Sequence, residues 1–280
     1  MVQKGAKNTI QISNDTFISK TMCLPTNPAE QEKIASCLSE LDNLIAVQGQ
    51  KVDALKEKKK GLMQQLFPQT VETTPRLRFP GFEGEWEEKK IGEVAEVLQG
   101  FGFPDKYQGQ KSGNLPFCKV SDISIAVDRG ERTINWAANY VDYSLLPILH
   151  AKPIPVGATI FAKIGEAIRS NKRIKTQVPC LIDNNTAAVK AKNDEADDFM
   201  FYLMSKVKLA DYSGGIVPSV NKSTIESIPI LLPPSLPEQQ KIAFCLSSLD
   251  DLIAAESAKV EALKDHKKGL MQQLFPQPTK

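Results

Sequence analysis

The feature that most constrains this fold is a long segment that occurs twice. Residues 25–69 and 233–277 are identical at 30 of 45 positions, at a constant offset of 208 residues. The repeats of a solenoid adjoin one another, whereas these two copies lie far apart in the chain. The pattern therefore indicates one structural element that is used twice and frames an insert.

Both copies have the pattern of a long helix with one apolar seam. The apolar residues recur at alternating steps of four and three, which is the heptad spacing of paired helices. We predict that the two helices pair with each other or with a partner. If they pair antiparallel within the chain, Phe67 lies near the start of the second helix. The predicted pairing positions are Ile34, Leu38, Leu41, Ile45, Val52 and Leu55 in the first copy, and Ile242, Leu246, Leu249, Ile253, Val260 and Leu263 in the second.

Polar residues interrupt this seam at the same two places in both copies. Gln48 corresponds to Glu256, and Lys59 corresponds to Lys267. Such interruptions lower the stability of a helix pair but restrict its register, because a slipped pairing would bury lysine against leucine. We therefore expect one alignment only.

Each copy also begins with residues that suit the start of a helix. Asn27 is followed three residues later by Glu30, and Ser235 by Glu238, as in a capping box. Prolines at 68 and 276 predict the helix ends.

The insert has a different pattern, in which short apolar runs alternate with glycine and proline. This is typical of an α+β domain with many short strands. One amphipathic helix is predicted from about residue 194 to 209, with Phe199, Tyr202, Leu203 and Val207 on or near one face. Gly214 and Gly215 predict a flexible loop after it. The predicted organisation is a short N-terminal segment (1–24), the first helix (25–69), the α+β domain (70–234) and the second helix with its tail (235–280).

A basic stretch within the insert is the best candidate for contact with phosphate. Residues 163–175 read as a loop and contain five basic residues against Glu166 alone. Asn184 and Asn185 could read base edges, since asparagine pairs well with adenine, as arginine does with guanine. For any one of these residues, a solvated surface role or a hydrogen bond within the loop is the alternative. The DNA-binding candidates are Lys119, Lys163, Arg169, Asn171, Lys172, Arg173 and Lys175.

Composition excludes several classes of protein. The net charge of +2 means that any nucleic-acid contact must come from a local patch. Five scattered cysteines and two histidines offer no disulfide framework, metal site or imidazole-based catalytic centre. No apolar run is long enough to span a membrane and the N-terminus has no signal pattern, so we expect a cytoplasmic protein without membrane contact.

The two helical copies resemble the helical regions of specificity subunits from type I restriction-modification systems. The matching segments are AEQEKIASCLSELDNLI and LPPSLPEQQKIAFCLSSLDDLI. Within the insert, LRFPGFEGEWEEKKIGEVAEV, GFGFPDKYQG, VGATIFAKIG and SVNKSTIESIPILLPP look like parts of a target recognition domain. The resemblance covers nearly the whole chain.

The resemblance implies a non-catalytic subunit that reads double-stranded DNA and docks methyltransferase subunits through its helices. Those partners would bind S-adenosylmethionine and methylate adenine, and a motor-nuclease subunit could join them. This chain itself would hold no cofactor. A subunit of this family carries two recognition domains, each reading half of a bipartite site. This chain has one, and residues 1–24 look like the tail of another.

Three functions therefore remain open. The first is a truncated specificity subunit that binds a half-site, alone or as a homodimer that reads an inverted repeat. The second is a competitor that occupies methyltransferase subunits without directing them. The third is a stand-alone enzyme, against which stand the absence of an adenine-methyltransferase motif, of a phosphate-binding loop and of a nuclease motif.

Overall fold

The computed structural model describes residues 2–4, 10–19, 24–69, 71–193 and 196–275. They belong to two compact units, one comprising Met1–Ala54 with Ala255–Lys280, the other Leu55–Ala254. In chain order the elements are β1 (Val2–Lys4), β2 (Ile10–Ile12), α1 (Asn14–Ile18), α2 (Pro28–Leu66), β3 (Glu87–Lys90), α3 (Ile91–Val94), β4 (Ala95–Gln99), β5 (Leu115–Cys118), α4 (Val120–Asp128), β6 (Thr133–Ile134), β7 (Asn139–Val141), α5 (Leu146–Leu149), β8 (Thr159–Ala162), β9 (Ile174–Thr176), β10 (Leu181–Ile182), β11 (Thr186–Ala191), α6 (Asp197–Lys206), α7 (Lys222–Ser227), β12 (Pro229–Leu232) and α8 (Leu236–Leu274). This mixture confirms the α+β prediction, with two long helices beside short strands and helices.

The first unit contains one end of each long helix, and these ends pair antiparallel. Asp42 accepts a hydrogen bond from Lys267 Nζ at 2.5 Å, and Gln48 Nε2 donates to the carboxylate of Glu256. Residue numbers rise along one helix as they fall along the other. Gln48 and Glu256 are equivalent positions of the repeat, so the two copies face each other at the same residue of the heptad pattern. The predicted pairing within the chain is confirmed.

The second unit contains the other ends of these helices, and the same pair of residue types recurs there. Lys59 Nζ lies 2.5 Å from Asp250 Oδ1. Asp250 is the equivalent of Asp42, and Lys59 the equivalent of Lys267, at the offset of 208. Each interrupting lysine thus finds an aspartate on the opposite helix, which is why a charged residue is tolerated in an apolar seam.

The predicted seam positions are the shielded positions of both helices. Val52, Ile242, Leu246 and Leu249 are buried, and the other eight predicted positions are half-buried, while the residues between them are mostly exposed. Because the spacing of the apolar residues sets which face of a helix is buried, the heptad pattern was sufficient to identify this face.

The core of the second unit lies where the two helices meet the inserted domain. Leu66 and Phe67 share a buried cluster with Ile242 and Leu246, which confirms that Phe67 lies near the start of the second helix. Phe67 stacks on Phe199 at 5.5 Å between ring centroids. The edge of Trp86 meets both rings, at 5.8 and 6.0 Å. The ends of the insert are therefore packed around the helix pair.

Three sheets build the inserted domain. A five-stranded sheet has the order β4-β11-β8-β9-β6, a three-stranded sheet has the order β10-β5-β7, and β12 pairs with β3. Helix α4 packs against β8, β5, β6 and β9. Among the described residues, none of the helices combines the length and the apolar character that a bilayer crossing requires.

The prediction of a capping box at the start of each long helix is wrong in part. Asn27 caps α2, accepting from Ala29 N at 3.0 Å, but Glu238 does not reach back to cap α8. Its buried carboxylate instead accepts two hydrogen bonds from Arg78, each 2.8 Å, and the Ser235 hydroxyl has no hydrogen-bond partner among the described residues. A charged, bidentate partner competes better for the carboxylate than a backbone amide does. Pro276, the predicted end of the second helix, lies outside the described residues.

The helix predicted over residues 194–209 is shorter and more deeply placed than expected. Residues 194–195 lie outside the described part of the chain, α6 ends at Lys206, and Val207 is extended. The six residues 199–204 are all buried, so neighbours cover α6 on every side. Gly214 and Gly215 begin a hydrogen-bonded turn closed by Gly214 and Ser219, and not the predicted flexible loop.

The seam predicts the effect of a charge placed in it. Leu249→Lys puts an ammonium group where the native side chain is 8% exposed, so we expect a loss of roughly 2–5 kcal/mol in the free energy of unfolding. Phe244→Lys, on the same helix but 69% exposed, should cost less than about 0.5 kcal/mol. Urea unfolding of both variants measures the difference, and equal losses would show that the seam is not structural.

Glu256 makes the pairing in the first unit sensitive to acid. Hydrogen bonds from Lys51, Lys259 and Gln48 lower the pKa of Glu256 to about 2. A carboxyl whose pKa is lowered by folding stabilises the fold above its unfolded pKa of about 4.5, and this contribution is lost as the pH falls towards 2. Native chain should therefore exceed Glu256→Gln in stability at pH 7, with the gap closing between pH 4.5 and 2.

Denaturant unfolding at a series of pH values measures this gap. Glu261→Gln, at an exposed position of the same helix, is the matched control and should track the native chain throughout. A gap for Glu256→Gln that is independent of pH would contradict the assignment.

Candidate nucleic-acid interface

Several strands of the inserted domain end at one edge. β4 and β8 both run antiparallel to β11, with Gln99 opposite Ala187 and Ala162 opposite Thr186. The ends of β4 and β8 therefore flank the start of β11. β5 and β10 run parallel to each other, and Asp183 N, just after β10, donates to Cys118 O at 3.3 Å. The topology thus brings the residues that follow these strands together, and we call this region the polar edge (residues 99, 119, 163 and 183–185).

A tight turn over residues 183–186 forms the centre of the polar edge. Thr186 N and Oγ1 both donate to Asp183 O, at 3.0 and 2.8 Å, and Lys163 N donates to Asn185 O at 2.8 Å. With its backbone held from both sides, the turn has little freedom. Asn184 and Asn185 are nevertheless exposed. The structure thus presents two neighbouring amide side chains on a rigid support.

The close approach of another backbone segment requires glycine at position 100. A Cβ atom there would lie 1.8 Å from Asp183 O and 2.6 Å from Ile182 O. Phe101 N donates to Ile182 O at 3.2 Å, which holds the two segments together. The turn that carries the asparagines is therefore supported by backbone that only glycine allows.

Lys119 and Lys163 lie at the polar edge, and each donates to a glutamine. Lys163 Nζ donates to Gln99 Oε1 at 3.1 Å, and Lys119 Nζ donates to Gln108 Oε1 at 2.6 Å. Gln108 Nε2 is in turn bound to Phe103 O at 2.8 Å. The hydrogen bond from Lys163 orients the amide of Gln99 with its oxygen inward. The NH₂ group of Gln99 makes no hydrogen bond within the described residues and is available as a donor.

Burial changes the acid-base behaviour of this edge. It lowers the pKa of Lys163, an effect that the nearby Asp183 carboxylate opposes, and it raises the pKa of Asp183. Asp183 Oδ1 has no hydrogen-bond partner within the described chain. An anion that approached the edge would meet Lys119 and Lys163 and would disfavour the charged form of Asp183 further.

The rest of the predicted basic stretch serves a different purpose. Arg173 is 6% exposed, and burial lowers its pKa to about 9. Its guanidinium donates to the carbonyl oxygens of Met204, Val207 and Lys172, and to Asn171 Oδ1. These bonds close the end of α6, where carbonyl groups lack helical partners. The prediction that Arg173 faces DNA is wrong, because its donors are used inside the protein.

The neighbours of Arg173 are also engaged. Asn171 adopts a left-handed conformation with φ of 50° and donates to Ser205 O at 2.9 Å. Lys172 pairs with Asp128 at 2.7 Å, Lys175 in β9 pairs with Asp198, and Arg169 pairs with Glu166 at 3.0 Å. The side chain of Arg169 is 65% exposed. The stretch is thus a short 3-10 turn and a strand, and it is not the open basic loop that the sequence predicted.

Two residues of the polar edge, Gln99 and Asp183, were not identified from the sequence, and neither was Gly100 next to Gln99. Gln99 and Gly100 are distant from Asp183 in the chain, and the strand topology alone brings them together. The dipeptide 184–185 carries part of the signal, because its two amide side chains have base-reading chemistry. Within the described part of the chain, no three histidine, cysteine or acidic side chains converge as metal ligands would.

The glycine requirement gives a sharp test of this geometry. Gly100→Ala should displace the turn and cost roughly 2–3 kcal/mol in the free energy of unfolding, because the new methyl group meets backbone and not a flexible side chain. Gly102→Ala, where a Cβ atom meets nothing within 4 Å, is the control and should change stability by less than about 0.5 kcal/mol. Thermal unfolding compares them, and equal behaviour would contradict the close approach.

Comparison with known proteins shows the family of the chain. Residues 83–265, more than half of the sequence, match the type I restriction modification DNA specificity domain. Two Methanocaldococcus jannaschii proteins, described as the MjaX and MjaVIII specificity subunits of type I restriction enzymes, are 27% and 26% identical over 98% and 93% of this chain. The chain spans 63% of the length of each.

The fold is similar to that of a solved S subunit of a type I restriction-modification system, from M. genitalium. The TM-score is 0.64 at 13% identity, over 98% of this chain and 68% of that one. On the strength of the matched domain, this chain belongs to the family of type I restriction-modification DNA specificity domains.

Proposed function

We propose that this chain is the sequence-reading subunit of a type I restriction-modification complex and that the polar edge is its DNA-contacting surface. The observation that carries this proposal is the rigid turn at residues 183–186. It exposes Asn184 and Asn185 between Lys119 and Lys163, which combines base-reading amides with phosphate-binding charges. One such domain reads one half of a bipartite site.

The exposed amides supply the chemistry of base recognition. An asparagine or glutamine side chain can form two hydrogen bonds with adenine in the major groove, accepting from N6 and donating to N7. Asn184 and Asn185 are both exposed, and Asn185 makes one long hydrogen bond, 3.4 Å from its Nδ2 to Asp183 Oδ2. Gln99, whose oxygen accepts from Lys163, presents its NH₂ group as a donor. Its role is then to recognise an acceptor such as guanine O6 or thymine O4.

An apolar turn lies beside these amides. Ile216 and Val217 are fully and 60% exposed, and the backbone next to them is bonded to the polar edge, since Val220 N donates to Lys163 O at 3.0 Å and Gly165 N to Pro218 O at 2.8 Å. Exposed apolar side chains next to base-reading groups suit contact with a thymine methyl group.

Lysine and arginine side chains around this surface then bind the phosphates. Lys119 directly follows Cys118, whose carbonyl oxygen accepts from Asp183 N of the turn. Arg169 and Lys172 form surface ion pairs, and such pairs contribute little to stability, so a phosphate can replace the carboxylate partner at small cost. Arg173 has no part in this proposal.

The paired helices supply a docking surface for catalytic partners. Leu44 and Leu252 are equivalent positions of the repeat, and both are exposed, at 51% and 43%. An apolar side chain that is repeated on the outward face of both copies suits two identical partners, such as two methyltransferase subunits. S-adenosylmethionine and the chemistry of methylation belong to those partners, and a motor-nuclease subunit joins the same complex.

The test is co-expression of the chain with its cognate methyltransferase subunit, followed by long-read sequencing that maps methylated adenines. Methylation at a specific sequence is expected. Asn184→Ala with Asn185→Ala should relax or shift that sequence, since each lost base contact costs about 1–3 kcal/mol of discrimination. A stable complex that methylates nothing would overturn the proposal.

A second double variant is the matched control. Arg169→Ala with Lys172→Ala should leave the methylated sequence unchanged while weakening binding to all DNA, with the salt slope falling by about 0.9 for each lost phosphate contact. If this variant shifts the sequence and the asparagine variant does not, the two surfaces have been assigned the wrong way round.

A further inference from the structure

Asp250 on α8 joins three helices of the second unit. Its Oδ1 lies 2.5 Å from Lys59 Nζ of α2, and its Oδ2 accepts a hydrogen bond from the hydroxyl of Tyr202 of α6 at 2.7 Å. Lys59 Nζ also lies over the Tyr202 ring, 5.4 Å from its centroid. Each of these three side chains contacts the other two, and we call the group the Asp250 triad (Lys59, Tyr202 and Asp250).

The equivalent pair in the first unit shows what the helices themselves require. There Lys267 Nζ donates to both carboxylate oxygens of Asp42, at 2.5 Å each. In the triad, Asp250 instead gives one oxygen to the lysine and the other to Tyr202. A lysine and an aspartate are therefore sufficient between α2 and α8. The additional bond from Tyr202 attaches α6, which belongs to the inserted domain.

The Tyr202 hydroxyl is held as a hydrogen-bond donor. The side chain is buried, and burial, followed by the Asp250 carboxylate, raises the pKa of Tyr202. A bond from a neutral hydroxyl to a carboxylate is strong and directional. The apolar contacts of Leu66 and Phe67 with the insert have no preferred direction. The apolar cluster thus holds the domain against the helices, whereas the triad sets the angle at which it is held.

A second directional contact joins the inserted domain to α8 close to Asp250. Arg132 Nη1 donates to Ser247 O at 3.1 Å, and its Nη2 lies 3.3 Å from Asp251 Oδ1. The Asp251 side chain is largely exposed, so this ion pair contributes little by itself. The bond to the helix backbone at Ser247 nevertheless fixes where the Arg132 segment lies along α8.

Both contacts hold the five-stranded sheet that leads to the polar edge. Helix α6 packs on β8 and β11. β8 is followed by Lys163, and β11 is preceded by Asn185. Arg132 directly precedes β6, which pairs with β9 of the same sheet. Two directional contacts at separate places restrict the rotation of the sheet more than one contact would.

We propose that Tyr202 and Arg132 are positioning residues, which fix the direction in which the polar edge faces from the ends of α2 and α8 in the second unit. Neither residue belongs to the polar edge. A methyltransferase subunit docked on the helices then meets a DNA target at the polar edge in one orientation. This consequence rests on the proposed function, whereas the fixed direction itself does not.

Distances between two spin labels test the fixed direction without DNA or a partner. The labels are attached at Lys58→Cys on α2 and Glu96→Cys in β4, both exposed positions of the second unit. Serine first replaces three natural cysteines, Cys23, Cys37 and Cys245, while the buried Cys118 and Cys180 are kept. The chain with Tyr202 and Arg132 intact should give one narrow distance. Tyr202→Phe with Arg132→Gln should broaden it or add a second distance.

Ile160→Val is the matched control. It shortens a fully buried side chain of β8, in a cluster separate from the one that contains Phe67. It should lower the thermal stability about as much as Tyr202→Phe does but leave the label distance narrow. Tyr202→Phe alone keeps the ring and is measured beside the double variant, in case the latter does not fold. A native distance that is already broad, or one that Tyr202→Phe leaves narrow, would overturn the proposal.

Methylation measures the consequence for function. In complex with the methyltransferase subunit, the Tyr202→Phe and Arg132→Gln variants should bind target DNA as tightly as the native chain does. They should methylate it about 10- to 100-fold more slowly, because a misplacement of about 1 Å can lower a rate on the order of 100-fold. Binding and rate that fall in the same proportion, as for general destabilisation, would contradict a positioning role. A native complex that methylates nothing contradicts the proposed function, and the label distances still decide this proposal.

Discussion

The structure of the inserted domain depends on the pairing of two helices that begin and end at the same heptad positions. Their antiparallel direction brings Leu66 and Phe67, at the end of one copy, against Ile242 and Leu246, near the start of the other. The two ends of the insert are held at one place as a result, and β3 can pair with β12 although some 140 residues separate them in the chain. Joining such distant segments has an entropic cost. The contacts between the helices and the aromatic cluster around Phe67 offset most of it.

The polar edge likewise depends on backbone segments that the fold brings together. Short strands end at one side of the domain, and backbone hydrogen bonds join the segments at their ends. These bonds hold in place the backbone that carries the exposed side chains. Gly100 permits the approach of two backbone segments, and the turn after β10 then presents its asparagines outward. A rigid support of this kind is what sequence discrimination requires, because a hydrogen bond to a base edge separates one base from another only if its donor and acceptor are held in place.

The two paired helices are alike in sequence, because each must match the other over many turns at one register. Of the 45 positions in residues 25–69 and 233–277, 30 are identical.

The sequence by itself determined the features that depend on local periodicity. These are the two helices, their seam positions, the Asn27 cap and the single register implied by Lys59 and Lys267. Only the tertiary structure decided the partners of the polar groups. Glu238 binds Arg78 and leaves the capping box unformed, and Arg173 closes the end of α6 and does not face solvent. Gln99, Lys163 and Asp183 form one surface because three strands end together. Periodicity records which face of an element is buried, whereas the partner of a charged or amide group is set by whichever distant segment the fold brings within hydrogen-bonding distance.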